Sequence, residues 1–397
     1  MALGSGLSVY YRVFSIMLFM LAGGFVWAFL NSMATRVTAE RTYSKLHVGE
    51  YIDSLISVRN FSPLPKFNLE INDLSEMPGH NTGEVIDLPP MGERSLMLKI
   101  PLMKRGVYSV GTPTVSSRDP FGIFRLRKQA SGTERLAVLP YMVDVSPFSL
   151  DRGNVTGEGA LQKSTPESSS SVSTIREYRP GESARYIHWP ATARKNSLML
   201  KEFDSGTEDV TWILLDLQGE VKEGDEIENT EEYAITAAAS IARAYAQMGW
   251  AVGLMAHGDR QHFIVPHEGG TSLDRILVAL TEARAEGSVP LVDLIAYWQS
   301  EIPSPNISLV VITSSLETTW NLALESCMRQ GVSATVVLVD PTSFGGLGNP
   351  QILLSQLNGR GTQTYLLRKG DDLSRALNHP WRLSDRQQHQ ERVEALP

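Results

Sequence analysis

Val210-Thr211-Trp212-Ile213-Leu214-Leu215-Asp216 is an almost continuous apolar run ending on a carboxylate. Such a run reads as a strand buried on both faces. Downstream, helices are expected over Thr230–Met248, Ser272–Ala285 and Thr318–Gln330. Strands are expected over Ala251–Ala256, Leu309–Ile312, Ala334–Val339 and Thr364–Leu367. Apolar strands separated by helices imply a parallel sheet covered on both faces, the doubly wound α/β class. After Trp381 the residues are polar and charged, so 381–397 reads as a disordered tail.

Upstream of that run, the stretch from Thr174 to Glu202 is dense in distinctive residues. Arg179-Pro180-Gly181-Glu182 suits a type II turn, with Pro setting φ and Gly free to take positive φ. Pro190 suits a first helical position, so a short helix to Lys195 is expected and the backbone folds back on itself. Arg176, Arg179, Arg185, Arg194, Lys195 and Lys201 outnumber Glu177, Glu182 and Glu202, although the whole chain carries a formal charge of −8. The negative balance argues against general nucleic-acid binding, which calls for a basic domain or stripe.

Residues 147–173 are polar and rich in Gly and Ser and read as a flexible linker. Residues 36–146 hold strand-like pieces, among them Tyr51–Val58, Lys66–Ile71 and Leu96–Ile100, punctuated by Pro and Gly. That pattern suggests an immunoglobulin-like β-sandwich. Asp119-Pro120-Phe121-Gly122 reads as a turn whose Phe121, with Phe124, plugs the sandwich end. Within residues 1–35, Val13–Leu30 has no charge and reaches the length of a membrane-spanning helix. Arg12 precedes it and Arg36, Arg41 and Lys45 follow, which favours a cytoplasmic location for the bulk of the chain. A signal peptide is the rival reading, but Met33-Ala34 makes a poor cleavage site. Cys327, the single cysteine, excludes an internal disulfide and reads as a small buried hydrophobe.

The order Arg176-Glu177-Tyr178-x-Pro180-Gly181-Glu182-x-x-Arg185-x-Ile187-His188-Trp189-x-x-x-Ala193-Arg194 resembles the signature of the prokaryotic family called domain of unknown function 58. Arg105-Gly106-x-Tyr108 and Arg118-Asp119-Pro120-Phe121-Gly122-x-Phe124 also resemble it, extending the similarity from about Arg36 onward. The resemblance implies a von Willebrand factor A-like fold for 174–380. It also implies a cell-membrane location, with partners among MoxR-type AAA+ ATPases and other A-domain proteins. Members often carry two helices near the start; here the first is absent or reduced to Ala2–Tyr11, which makes the anchor single-pass or two-pass.

The A-type metal motif is Asp-x-Ser-x-Ser plus a Thr and a second Asp. Here Asp216-Leu217-Gln218-Gly219-Glu220 keeps only the first Asp, Thr271 stands as a candidate third position, and Thr313-Ser314-Ser315 replaces the later carboxylate. A degenerate remnant with no metal and no cofactor is the expectation. The cluster Glu220, Glu223, Asp225, Glu226, Glu228, Glu231 and Glu232 reads as a solvated loop or a docking surface for a basic partner. His257, His262 and His267 lie around an expected hairpin, at a spacing that scatters them across strand faces. In the signature stretch Arg176, Tyr178, Gly181, Arg185, His188, Trp189 and Arg194 are candidate binding residues. They form either a clasp between domains or a pocket for a carboxylate or phosphate. No catalytic residue is assigned. The leading reading is a non-enzymatic membrane-anchored adaptor. The alternatives are a hydrolase using Arg185, His188 and Arg194, or a metal-dependent adhesive module.

Overall fold

The uncharged run after Arg12 belongs to one long helix, α1 (Leu3–Ser32), in the computed structural model of the chain. The structure describes residues 3–43, 46–75, 77–78, 82–129, 134–146, 172–177, 192, 194–195, 198–203, 210–267, 270–302 and 307–382. Ser8–Ser32 is long and apolar enough to cross a membrane. Leu3–Tyr11 continues into the same helix, so no separate first helix forms there.

Two compact units divide the chain: Met1–Tyr141 with Leu280–Glu282, and Met142–Ala279 with Ala283–Pro397. In the first, β1 (Thr35–Thr42), β2 (Tyr51–Asn60) and β5 (Glu93–Pro101) form one antiparallel sheet in the order β1-β2-β5. A second sheet runs β4 (Thr82–Leu88), β3 (Lys66–Ser75), β6 (Gly106–Arg118), β7 (Arg125–Gln129), with β8 (Glu134–Val138) also on β6. The period of two turns Ile56 and Val58 of β2 inward, where they share a core with Leu69, Ile71, Ile86, Leu88 and Val115 of the second sheet. The two sheets thus make a sandwich. The Gly106-x-Tyr108 part of the motif is explained locally: the Tyr108 hydroxyl donates to the Lys104 carbonyl at 3.0 Å. Gly106 has φ +149°, and a Cβ there would meet the Tyr108 ring at 3.2 Å.

The Asp119 turn departs from the expectation. The buried Asp119 carboxylate accepts N–H bonds from Phe121 (3.0 Å) and Phe124 (2.6 Å), which closes the turn. Phe121 is exposed, so it does not plug the sandwich. Phe124 instead meets Phe25 of α1 edge-on at 5.6 Å. At the end of α1, the Asn31 side-chain amide donates to the Phe67 carbonyl (2.7 Å) and accepts the Phe67 N–H (2.9 Å), as another strand would. The buried Lys66 ammonium donates to the Leu30 carbonyl, one of the acceptors that a helix C-terminus leaves open. Burial, with Lys128 nearby, lowers the Lys66 pKa from its ordinary value.

In the second unit, β11 (Val210–Leu215), α2 (Thr230–Gln247), β12 (Ala251–His257), β13 (Gln261–His267), α3 (Gly270–Glu282), α4 (Leu291–Glu301), β14 (Ser308–Thr313), α5 (Thr319–Arg329), β15 (Ser333–Val339), α6 (Pro350–Gly359), β16 (Gln363–Leu367) and α7 (Leu373–Asn378) follow in order. The sheet order is β13-β12-β11-β14-β15-β16. β13 pairs antiparallel with β12, so the sheet is parallel except at that edge. That edge is the expected hairpin around His257–His267, whose short turn leaves no room for a crossover helix. Trp212 and Leu214 point to the face covered by Leu294, Ile295 and Trp298 of α4, Trp320, Leu324 and Cys327 of α5 and Leu353 and Leu357 of α6. Cys327 is a buried hydrophobe, as read, and burial raises its thiol pKa. α2 packs along β11, β12, β14 and β15. Asn229 caps it, accepting the Glu232 N–H at 2.9 Å.

Residues 142–146 belong to this second unit, so the expected boundary at 146 falls late. The Val143 N–H donates to Ser240 Oγ at 3.0 Å, and Arg243 pairs with Asp144 at 2.7 Å. Of the expected linker, 147–171 lies outside the described residues, and Val172 already opens β9 (Val172–Glu177). In the tail, Trp381 closes on the core, its N–H donating to the Thr364 carbonyl at 2.8 Å, and 383–397 lies outside the described residues.

Candidate functional site at the strand ends of the sheet

β11 and β14 are neighbours, yet the chain leaves β11 toward β12 on the other side. Their carboxyl ends therefore flank the point where strand order reverses, the usual place for a crevice in open α/β sheets. Leu215 pairs with Ile312, so Asp216 and Thr313 meet just beyond the last pair. Asp216 is 5% exposed. Its Oδ2 accepts the Thr313 hydroxyl at 2.6 Å and its Oδ1 accepts the Gln218 N–H at 3.1 Å. Thr313 Oγ1 in turn accepts the Ser315 N–H at 2.9 Å, and the Ser314 hydroxyl donates to the Val221 carbonyl at 2.8 Å. Burial raises the Asp216 pKa; the bonds from Thr313 and Gln218 oppose this and the charge of Glu317 adds to it.

Thr271 does not join this group. It opens α3, whose next residue, Ser272, donates to the Val252 carbonyl at 2.6 Å. Val252 pairs with Thr211, at the opposite end of β11 from Asp216 and about 15 Å away along the sheet. The Thr313 hydroxyl donates to Asp216 and the Gln218 amide to Glu220, and among the described residues there is no group of three or more His, Cys, Asp or Glu that could hold an ion. Millimolar Mg²⁺ or Mn²⁺ is expected to leave the melting temperature of the purified chain unchanged; a metal-dependent rise in differential scanning fluorimetry contradicts this. His257 and His262 stand on facing strands, while His267 sits far down β13 with Nδ1 2.9 Å from the Val265 carbonyl.

Beside Asp216 the acidic loop is tied up internally. Lys222 pairs with the buried Glu231 at 2.6 Å. Lys369 sits 3.7 Å from Asp225 and 3.6 Å from Glu228. The N–H groups of Glu228 and Ile227 hold the Asp225 carboxyl below its ordinary pKa, with Lys369 contributing. The Tyr233 hydroxyl donates to Glu228 at 2.9 Å and accepts the Gly370 N–H at 2.9 Å, so the loop is stitched to the turn after β16. Glu220, Asp225, Glu226 and Ile227 remain exposed. Lys222, Tyr233 and Lys369 carry no sequence signal as partners, since nine residues separate Lys222 from Glu231 and Lys369 lies far off in sequence.

Of the signature stretch, Tyr178, Gly181, Arg185, His188 and Trp189 lie outside the described residues. β9 pairs antiparallel with β10 (Met199–Phe203), placing Arg176 opposite Leu200, so the backbone does fold back between them. Arg194 and Lys195 are helical and exposed, and Thr192 Oγ1 accepts the Met199 N–H at 3.0 Å.

Residues 174–343 match the family described as "Protein of unknown function DUF58". That segment is a DUF58 domain. The match starts on β9 and stops just past β15, so α6, β16 and α7 complete the sheet beyond it, and the Arg105 and Asp119 motifs precede it. The chain is similar to the "Uncharacterized protein YeaD" of Bacillus subtilis (strain 168), 21% identical over 69% of this chain and 68% of that one. Among solved structures it resembles an aerotolerance-related membrane protein from Bacteroides fragilis NCTC 9343, at 14% identity and TM-score 0.31, over 42% of this chain and 94% of that one. It also resembles proximal thread matrix protein 1 from the mussel byssus, at 11% identity and TM-score 0.33, over 43% and 45%. At such TM-scores these two likenesses carry no argument about fold or function.

Proposed function

We propose that the chain is a membrane-anchored, non-enzymatic scaffold whose DUF58 domain offers the strand-end surface around Asp216 to a protein partner. The strand order with one antiparallel edge supports a von Willebrand factor A-like reading of this domain, and the two-sheet core supports an immunoglobulin-like reading of the first unit. The observation that carries the proposal is the closed state of the Asp216–Thr313 pair. A carboxylate that is buried and accepts one bond on each oxygen braces two strand ends and presents little surface to a substrate. Around it, Glu220, Asp225 and Glu226 face outward with Ile227, an acidic rim with an apolar member suited to a basic protein surface. By family resemblance the partner is a MoxR-type AAA+ ATPase or another A-domain protein, and the soluble units face the cytoplasm. The adhesive reading needs the metal set that Asp216 lacks.

Crosslinking in native membranes followed by purification of the full chain tests this. A MoxR-type ATPase is expected in the wild-type eluate and lost on Glu220→Lys with Glu226→Lys, at unchanged melting temperature. An ATPase retained by the double variant, or never recovered, refutes the docking surface.

A further inference from the structure

The end of the sandwich beside α1 carries apolar side chains that its own core does not cover. Phe61, Leu64, Met91, Phe121 and Ile123 are exposed there, Phe121 to 54% and Ile123 to 52%. Their placement is fixed by short bonds. The Phe61 N–H donates to the Ala34 carbonyl at 2.8 Å, just past the helix, and the Met91 N–H donates to Ser62 O at 3.0 Å. The Asp119–Phe124 turn reaches further along α1: Phe124 meets Phe25, and a Cβ on Gly24 would lie 3.1 Å from Asp119 Oδ2. The turn therefore stands beside a point about two helical turns before Ser32.

The depth of that point follows from the charges. Residues 13–35 are uncharged, and Arg12 bounds them. If the helix left the bilayer before Gly24, the immersed part would be about Leu3–Gly23, with Arg12 near its middle, where an arginine is strongly disfavoured. Immersing the run after Arg12 instead puts Phe25 within the acyl region, and the Asp119 turn goes with it. The turn is built for that place. The Asp119 carboxylate is satisfied by its own backbone, the exposed tips are Phe121 and Ile123, and Arg127 and Lys128, basic residues of the kind that snorkel to headgroups, follow on β7. Arg36 and Arg59 similarly sit over the Phe61 ring, at 5.8 and 5.1 Å.

We propose that this end of the sandwich is a membrane-binding surface seated on the same bilayer that α1 crosses, with Phe121 and Ile123 inserted beside the helix. The proposal rests on α1 spanning the membrane, and the test separates the two. The full chain carrying Phe19→Cys, Phe121→Cys, Ile123→Cys or Tyr51→Cys is labelled with an environment-sensitive fluorophore and reconstituted in phosphatidylcholine–phosphatidylglycerol vesicles. Cys327, fully buried, stays unlabelled. Phe19 is exposed on α1, and Tyr51 lies at the far end of β2 from Asn60, about 30 Å away. Lipids carrying a nitroxide near the headgroup or along the acyl chain are expected to quench the probes at 19, 121 and 123, with no quenching at 51. Quenching at 19 without 121 and 123 overturns the membrane surface and leaves the span intact. No quenching at 19 overturns the span and the proposal with it.

Discussion

Replacing Asp216 by Ala is expected to lower the melting temperature of the DUF58 unit by about 5–15 °C. Thr313 Oγ1 and the Gln218 N–H both lose their acceptor in a buried place. Stranding two such groups costs about 2–5 kcal/mol, and each kcal/mol shifts a unit of this size by about 2–4 °C. Asp216→Asn should cost much less, since one amide oxygen accepts the N–H and the amide group donates to Thr313. The pH dependence has a definite sign. Burial raises the folded-state pKa of Asp216 above its unfolded value. Its contribution is then fully present below the unfolded value, about 3.9, and is lost as pH rises through the folded one. Asp225 and Asp259 are shifted downward and act in the opposite sense. The informative quantity is the difference between wild type and Asp216→Asn in urea unfolding across that window: wild type should lose stability relative to the variant as pH rises. A flat difference sinks the account of Asp216 as a buried carboxyl held against its desolvation.

What the sequence reveals here depends on how far apart the cooperating residues lie. The apolar runs at Val210, Ala251, Leu309 and Ala334 announce their strands because each is buried on both faces by local composition alone. α4 is not among the expected helices, although Leu291, Leu294, Ile295 and Trp298 fall at helical spacing; its short length after Pro290 hides the signal. The antiparallel β13 is announced by the turn before it, which makes the hairpin around His257–His267 legible. The pairing of Asp216 with Thr313 bridges a long gap in sequence and appears only once β11 and β14 are known to be neighbours. Thr271 illustrates the converse error. A threonine at a plausible distance along the chain carries no information on which end of the sheet it reaches; the Ser272 bond to Val252 decides that. The Asp119 turn was recognisable as a turn, but what Phe124 packs against depended on α1 lying alongside.

Asn31→Ala should loosen α1 from the sandwich. One side chain satisfies the Phe67 N–H, the Phe67 carbonyl and Ser117 Oγ, at 2.9, 2.7 and 2.8 Å. An amide offers donor and acceptor side by side in the geometry of a paired strand. Truncation leaves these groups without their partner at a cost of about 2–4 kcal/mol. Asn31→Asp keeps the acceptor and loses the donors, so it should fall between. Because the chain has two units, a single transition is not guaranteed, and the loss should be confined to the first. Trp27 is the one tryptophan before Tyr141, so tryptophan fluorescence reports mainly on the DUF58 unit and should be little changed, while far-ultraviolet dichroism registers the earlier β melt. The functional consequence is mechanical. With the weld intact, nitroxides at Phe19 and Tyr51 in bilayers should give one narrow distance distribution, since helix and sandwich move together. In Asn31→Ala the distribution should broaden as the helix becomes a tether. An equally narrow distribution in the variant means that Lys66 and the Asp119 turn hold α1 without the amide.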